Sequence, residues 1–370
     1  MAALSAISAF AQSSVVIDGY MDRGYTITDS NKAAEDKKAI SSSAGTSTVG
    51  IKVTEDLGGG LKAGLSINTD FADAGSLTQD TSGTTPTASA TFANSQSFMF
   101  IEDAKLGKVQ LGNINNEILT ALTGVGAPSF STGVGSSYSS SWSVLNGYGN
   151  GKTDKQNQVH LTTNDNETAG ARGIRQANTV KYVSPNFSGV TVAYGQALKV
   201  DQASGANNTV GVTDMSLTYA NGPLTVMYAS LKFNVGANDV TANGSLTAGT
   251  TNTHAAWAAS YAVMPTLKFH AAIGSSKSSN GTIADSTFNQ YGVTYTVGQF
   301  DIMAQTAKVD DKLTANIDRK MTGLGVNYNL SKRTRVYARY DSLDRDTAHA
   351  HDSAKNTELK RTAVGISHSF

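Results

Sequence analysis

Apolar and polar residues alternate along most of this chain, and no other feature of the sequence limits its fold so strongly. A period of two residues is that of a β-strand, so the pattern predicts strands with one apolar and one polar face. The alternation is clear over residues 257–263 and 324–330, whose apolar positions are Trp257, Ala259, Tyr261, Val263, Leu324, Val326, Tyr328 and Leu330. No long segment has helical spacing, and no run of about 18 apolar residues could form a transmembrane helix.

The connections between the strands alternate between short and long. Seven short ones contain residues that favour turns; they are 55–60, 103–107, 184–189, 220–223, 264–265, 297–298 and 329–332. Eight long ones are rich in Ser, Thr, Asn, Asp and Gly; they lie near 29–45, 72–95, 114–175, 201–209, 234–253, 277–287, 310–318 and 344–356. Together they join sixteen strands, with every long connection at one end. We therefore expect an all-β fold, a 16-stranded antiparallel transmembrane β-barrel with short periplasmic turns and long external loops.

Five tyrosines of the apolar face stand a few residues before short turns; they are Tyr182, Tyr219, Tyr261, Tyr295 and Tyr328. Such rings are stable at a membrane interface, so they predict an aromatic girdle. Strands in lipid must pair every backbone donor and acceptor, which requires a closed sheet. The polar face is rich in Gly, Ser, Thr, Asn and charged residues. Polar side chains are favourable in contact with water and costly to bury without partners, so this face predicts a water-filled channel.

The composition excludes several functions. Lys and Arg (29) balance Asp and Glu (29), which argues against a nucleic-acid-binding protein. The chain has no Cys, so it contains no disulfide, thiolate metal site or cysteine nucleophile. Ala9-Phe10-Ala11 follows a short apolar stretch and has the form of a cleavage site. We interpret residues 1–11 as a truncated secretory signal peptide and 12–370 as the mature barrel domain.

The longest connection, residues 113–177, is dense in Gly and Ser. A loop of this length is usually functional. Its aromatic residues, including Phe130 and Trp142, favour packing against the protein, because disordered segments contain few aromatics. We predict that this third external loop folds into the barrel and constricts the pore.

The strand alternation also assigns charged residues to the channel wall, where fixed charges set ion preference. The predicted pore-lining and constriction residues are Arg175, Arg335, Arg339, Arg361, Lys52, Lys62, Lys181, Asp18, Asp22 and Asp341. We expect Arg175 to be the main basic residue at the constriction. Because the last strand of a barrel pairs with the first, we expect Arg339, Arg361 and Asp22 to lie near mid-height on adjoining strands.

Several stretches resemble the general porins of β-proteobacteria; they are 54–63 (TEDLGGGLKA), 107–112 (GKVQLG), 182–189 (YVSPNFSG), 329–334 (NLSKRT) and 365–370 (GISHSF). The resemblance implies a homotrimer in outer-membrane lipid that lets ions and small hydrophilic solutes diffuse passively. It also implies that Phe370 is read by the barrel-assembly machinery. Thr48, Ser95 and Asn113 stand where the family commonly has basic residues, so we expect weak ion selectivity of either sign.

Three alternatives stay open. A substrate-specific porin would need more aromatic residues along the lumen than Tyr20 and Tyr337, and an adhesive barrel would be plugged. An outer-membrane enzyme would need a Ser with a His at one height of the outer surface, and the six His form no such group. We therefore expect no catalytic residues and no cofactor, and we expect His349 and His351 to be solvated rather than metal-bound.

Overall fold

The computed structural model describes residues 13–30, 37–71, 92–137, 175–198, 211–234, 251–279, 285–312, 318–345 and 358–370, and most of these lie in antiparallel strands. The strands are β1 (Ser14–Ser30), β2 (Lys37–Ser41), β3 (Thr48–Gly58), β4 (Leu61–Asp70), β5 (Ser97–Asp103), β6 (Gly107–Asn115), β7 (Arg175–Val183), β8 (Val190–Ala197), β9 (Gly211–Asn221), β10 (Leu224–Asn234), β11 (Thr251–Met264), β12 (Leu267–Ser278), β13 (Ser286–Val297), β14 (Phe300–Asp311), β15 (Arg319–Asn329), β16 (Thr334–Arg345) and β17 (Glu358–Ser369). The predicted signal peptide, residues 1–11, lies outside the described ranges, as do Trp142, His349 and His351.

The sheet closes on itself because β1 pairs with β17 along one edge and with β2 and β3 along the other. β2 and β3 share one place in the wall, since each pairs with a different half of β1. The 17 segments of the sheet therefore make sixteen wall strands, which confirms the predicted barrel. The predicted connection near 29–45 is wrong in its bounds, because β1 continues to Ser30 and backbone pairing with β1 extends β2 over 37–41.

Seven short connections lie at one end of the barrel, as predicted, and join β3 to β4, β5 to β6, and so on to β15 and β16. Both ends of the described chain lie at this same end. Phe370 and Gly19 exchange two backbone hydrogen bonds, of 3.0 and 3.2 Å, so the last residue is fixed beside the first strand. The long connections leave from the opposite end.

The two faces of the wall agree with the alternation. Trp257 is 53% exposed on the outside and its neighbour Ala258 is 2% exposed on the inside. The predicted girdle is confirmed, since Tyr182, Tyr219, Tyr261 and Tyr295 are exposed near the short turns. The fifth tyrosine, Tyr328, packs on Phe300 with 4.9 Å between ring centroids.

The interior is not wholly polar, which corrects one expectation from the alternation. Residues 116–137, called the inner segment below, lie inside the barrel and pack on a dry cluster of apolar wall residues. The strands on either side reach Asn115 and begin again at Arg175, so the connection is 116–174 rather than 113–177. The inner segment contains an α-helical turn (Glu117–Leu119), a π-helical continuation (Thr120–Val125) and a 3₁₀ turn (Pro128–Phe130). Within the described ranges, no helix is long and apolar enough to cross a membrane.

The assignment of faces predicts the effect of a charge on each side of the wall. Leu324 lies on the outer face in the middle of β15, so Leu324→Arg should destabilise the barrel by about 2–4 kcal/mol. As a control, Asn68→Arg places the same side chain on the inner face of β4, opposite Gly50, and should cost no more than about 0.5 kcal/mol. Urea unfolding in lipid vesicles measures both, and equal losses would contradict the assignment.

Candidate functional site

The inner segment is amphipathic, and its apolar side determines where it lies. Ile118, Ala121, Leu122 and Val125 are buried, whereas Thr120 is exposed on the opposite side. The apolar side packs against inward residues of β9 to β12, among them Val212, Met227, Ala229, Ala256, Ala258 and Ala272. The alanines of β11 and β12 let the inner segment approach the wall closely, because their side chains are small. This apolar patch on the wall is the seat of the inner segment.

A buried ionic cluster fixes the start of the inner segment. Lys181 on β7 makes ion pairs with Glu117 and with Asp214 on β9, the latter at 3.0 Å. The Asp214 carboxylate also accepts the backbone N–H of Glu117 at 2.9 Å, and Ser216 donates to the other Glu117 oxygen at 2.8 Å. Each charge therefore has partners, which a buried ion pair requires. Lys181 faces inward but its charge is engaged in this anchor.

A pair of amides anchors the middle and the described end of the inner segment. Gln290 on β13 donates to the carbonyl of Leu122 at 2.8 Å and accepts from the hydroxyl of Ser137 at 2.5 Å. Gln305 on β14 donates to the same Ser137 oxygen at 2.8 Å. Gln290 is wholly buried, so these bonds replace the water it gives up. Leu122 is thus bound to β13, and Ser137 is bound to both β13 and the adjoining β14.

A third anchor involves Arg339 on β16, a predicted constriction residue. Its guanidinium donates to the carbonyl of Ser129 at 3.0 Å and to Asn327 Oδ1 at 3.2 Å. It also stacks over Phe130, 4.8 Å from the ring centroid. The planar guanidinium suits this combination of stacking and directed donation. Phe130 is almost wholly buried, in agreement with the packing role predicted for it.

The tip of the inner segment, residues 132–135, is held by a charged pair. Arg361 on β17 and Asp341 on β16 form a two-pronged ion pair. Asp341 also accepts the backbone N–H of Gly135 at 2.7 Å, and Arg361 donates to the carbonyl of Gly133 at 3.5 Å. The two residues were predicted as constriction charges, and they contact the segment that crosses the lumen.

The wall opposite these anchors also carries basic residues. Lys52 on β3 and Lys62 on β4 are exposed. Lys108 on β6 lies 4.3 Å from the centroid of the Phe100 ring and 3.7 Å from Glu102. Lys52 approaches the same ring at 5.9 Å. We call the inward face of β3 to β6 the open wall, because the anchors described above lie on β7, β9 and β13 to β17.

The remaining predicted residues lie at the ends of the barrel. Arg175 is at the loop end, where it pairs with Asp70 at 3.6 Å and donates to the carbonyl of Asn94 at 3.1 Å. Arg335 is near the short-turn end, where it donates to Ser367 at 3.0 Å and to Tyr20 at 3.2 Å. Asp18 is exposed on β1.

Asp22 differs from the rest of the predicted set. It lies on β1, beside β17 as expected, but it is wholly buried. Its carboxylate accepts from the hydroxyl of Tyr337 and from the backbone amides of Ala44 and Gly45, rather than from Arg339 or Arg361. Its charge is therefore removed from the lumen.

Several anchoring residues were not predicted, namely Glu117, Asp214, Gln290, Gln305 and Asn327. The four wall residues among them are each one polar residue among many on an inward face, and alternation gives the face but not the partner. Glu117 lies in the inner segment, where strand alternation does not apply. A usable signal was present in the inward alanines Ala256 and Ala258 of β11 and Ala272 of β12, which mark the seat. Among the described residues, no group of three or more His, Asp or Glu is placed to hold a metal ion.

Comparisons with known proteins agree with this architecture. The family model described as Gram-negative porin matches residues 1–348. The outer membrane porin protein 32 of Delftia acidovorans is 30% identical over 342 residues, which cover 89% of this chain and 84% of that protein. The structure of an anion-selective porin from Comamonas acidovorans has a TM-score of 0.74 at 24% identity, covering 97% of this chain and 100% of that one. The trimer form of OmpT from Vibrio cholerae has a TM-score of 0.61 at 15% identity, covering 97% and 99%.

Because the inner segment is held by apolar packing at the seat, we expect that a charged substitution on its buried side releases it from the wall. Leu122→Asp would bury a carboxylate in the apolar cluster, at a cost of about 3 kcal/mol or more, so the segment should leave the wall. Single-channel conductance should change and a protease should cleave the segment faster. Thr120→Asp, on the exposed side, is the matched control and should leave the cleavage rate as in the native protein. Identical cleavage of the two variants would show that the segment is not held by its apolar side.

Proposed function

Since this chain belongs to the Gram-negative porin family and forms an outer-membrane channel, we propose that it works as a homotrimer of general diffusion pores. Ions and small hydrophilic solutes would pass down their gradients without a catalytic step. The observation that carries the proposal is the division of the interior. The inner segment occupies a dry seat on one side, while the open wall presents exposed Lys52 and Lys62 on the other. Water and solutes pass between the two.

We propose that the ten predicted wall residues contribute unequally to ion selectivity. Asp22, Asp341 and Lys181 are buried and engaged in anchors, so they act little on a passing ion. Lys52 and Lys62 are exposed on the open wall, and Arg175, at the start of the neighbouring strand β7, adds a basic residue at the loop end. The exposed carboxylate of Asp18 opposes them. The balance supports a weak preference for anions, with Arg175, Lys52 and Lys62 as its main source.

Three further features belong to the same proposal. Outer-membrane lipid surrounds the apolar belt of the wall. Phe370, a residue 48% exposed at the short-turn end, is the residue that the barrel-assembly machinery reads. Residues 1–11 are the truncated part of a secretory signal peptide, which is absent from the mature barrel. A substrate-specific porin is the second candidate. It is the weaker one, because of the two inward tyrosines that could stack on a sugar, Tyr20 and Tyr337, the latter is buried.

The trimer and the channel are tested together in a planar bilayer. We expect long-lived conductance steps that close in groups of three, because each protomer carries its own pore. Chemical cross-linking of the same sample should give a threefold species. Protein with intact β-barrel circular dichroism but no conductance would overturn the pore and favour a plugged adhesive barrel. Steps that close singly would overturn the trimer alone.

The selectivity proposal is tested by the reversal potential in a salt gradient. The Lys52→Gln/Lys62→Gln double variant should shift it toward cations, since two exposed positive charges are lost. Arg175→Gln should shift it the same way, because it also unmasks the carboxylate of Asp70. Lys320→Gln, on the outer surface, is the control and should leave it unchanged. A reversal potential that none of these variants moves would contradict the assignment.

A further inference from the structure

The wall strand formed by β2 and β3 is interrupted at residues 42–47. Gly24 of β1 pairs with Ser41, and Tyr20 pairs with Thr48. Six residues, 42–47, therefore stand opposite only three, 21–23. Extra residues in one strand form a bulge, which bends the strand and redirects the side chains around it. We call residues 42–47 the bulge; most of it is buried.

The bulge touches the tip of the inner segment directly. The carbonyl of Ser43 accepts the backbone N–H of Val134 at 2.7 Å, and the hydroxyl of Thr132 accepts the backbone N–H of Thr46 at 3.1 Å. Gly133 has φ +78° and lies so close to the Ser43 carbonyl that a Cβ would collide with it. The tip is thus held between the bulge on one side and the Asp341–Arg361 pair on the other.

One buried carboxylate determines the shape of the bulge. Asp22 Oδ2 accepts the backbone N–H of Ala44 at 2.6 Å and that of Gly45 at 2.9 Å. The backbone N–H of Asp22 donates to the hydroxyl of Ser47 at 3.0 Å. A bulge breaks the regular ladder, so its amides need other acceptors. Asp22 supplies them from the strand directly opposite.

The other oxygen of Asp22 is held from two strands away. The hydroxyl of Tyr337 on β16 donates to Asp22 Oδ1 at 2.6 Å. Its side chain crosses β17 and β1 over Gly365 and Gly24, where a Cβ would collide with the hydroxyl. These two glycines pair with each other, and Gly365 also pairs with Tyr337. The three residues therefore lie side by side on β1, β17 and β16, and the glycines leave the space that the Tyr337 side chain needs to reach Asp22.

We propose that Asp22 is a positioning residue of the channel, which shapes the bulge so that the bulge holds the tip of the inner segment in place. The opening then has two sides, the inner segment and the bulge, which are fastened to each other at residues 43–46 and 132–134. This inference rests on the proposed role of the inner segment as the constriction. It gives Asp22 a mechanical role in conduction in place of the lumen charge that the alternation predicted.

The test compares current noise in single channels of the native protein and of Asp22→Ala. Loss of the acceptor for three hydrogen bonds should increase the time that the tip spends undocked by about tenfold or more. The variant should flicker and should close at a lower voltage. Thr46→Cys/Thr132→Cys provides the rescue, because the native chain has no Cys and a disulfide there would fasten the bulge to the tip. In the Asp22→Ala background, oxidation should restore a quiet current and reduction should bring the flicker back.

Asp22→Asn separates position from charge. It keeps an acceptor oxygen for the bulge amides and removes only the charge. Because that charge is buried away from the lumen, the reversal potential of the variant should equal that of the native channel. A shift as large as that of Lys52→Gln/Lys62→Gln would overturn the inference, since Asp22 would then act as a lumen charge. Native noise and closing voltage in Asp22→Ala would also overturn it, as would flicker that the disulfide leaves unchanged.

If Asp22→Ala does not assemble, Tyr337→Phe removes one of the three donors at nearly constant shape and is measured in the same way. It should flicker less than Asp22→Ala would but more than the native channel, and a quiet channel would count against the inference. The two proposals fail separately. A native protein without conductance contradicts the pore itself, whereas a conducting native channel with quiet variants contradicts only the role of Asp22.

Discussion

Hydrocarbon offers no partner for a backbone amide, and the rest of this structure follows from that constraint. A sheet with an edge in lipid would leave a row of unpaired donors and acceptors, so β1 pairs on both sides and the sheet closes. Closure with sixteen strands leaves an interior too wide for wall side chains to fill. That interior must hold water, more chain or both, and here the inner segment occupies part of it.

The interior is divided by chemistry. On β9 to β12, small apolar residues face inward and bury the apolar side of the inner segment, so water is excluded there. On β3 to β6 the inward positions carry lysines that remain exposed. Polar anchors at Lys181, Gln290 and Arg339 then fix the segment at points along its length. The apolar packing at the seat stabilises the bound segment but does not fix its exact position. The directed hydrogen bonds fix which residue of the segment lies against which strand.

Much of the fold could be predicted from the sequence, because alternation and turn residues are local signals. They gave the sixteen strands, the single end for all short turns and the tyrosine girdle. The bulge at 42–47 could not be found in this way, since Ser42, Ser43 and Ser47 look like part of a polar loop, and only the pairing with β1 shows that the wall continues past them. Alternation also identified Asp22 and Lys181 as inward charges. Whether an inward charge contacts water or another residue depends on residues distant in sequence, here Tyr337 for Asp22 and Glu117 for Lys181.

The contact between Tyr337 and Asp22 has a consequence for the order of assembly. It spans β16, β17 and β1, which is the seam where the two ends of the chain meet. Until the seam forms, Asp22 lacks one of its partners and β17 has no neighbour on that side. The Asp341–Arg361 pair that holds the tip lies on the last two strands as well. The narrow passage is therefore among the last features to be completed, and a chain that has not closed cannot yet sieve solutes.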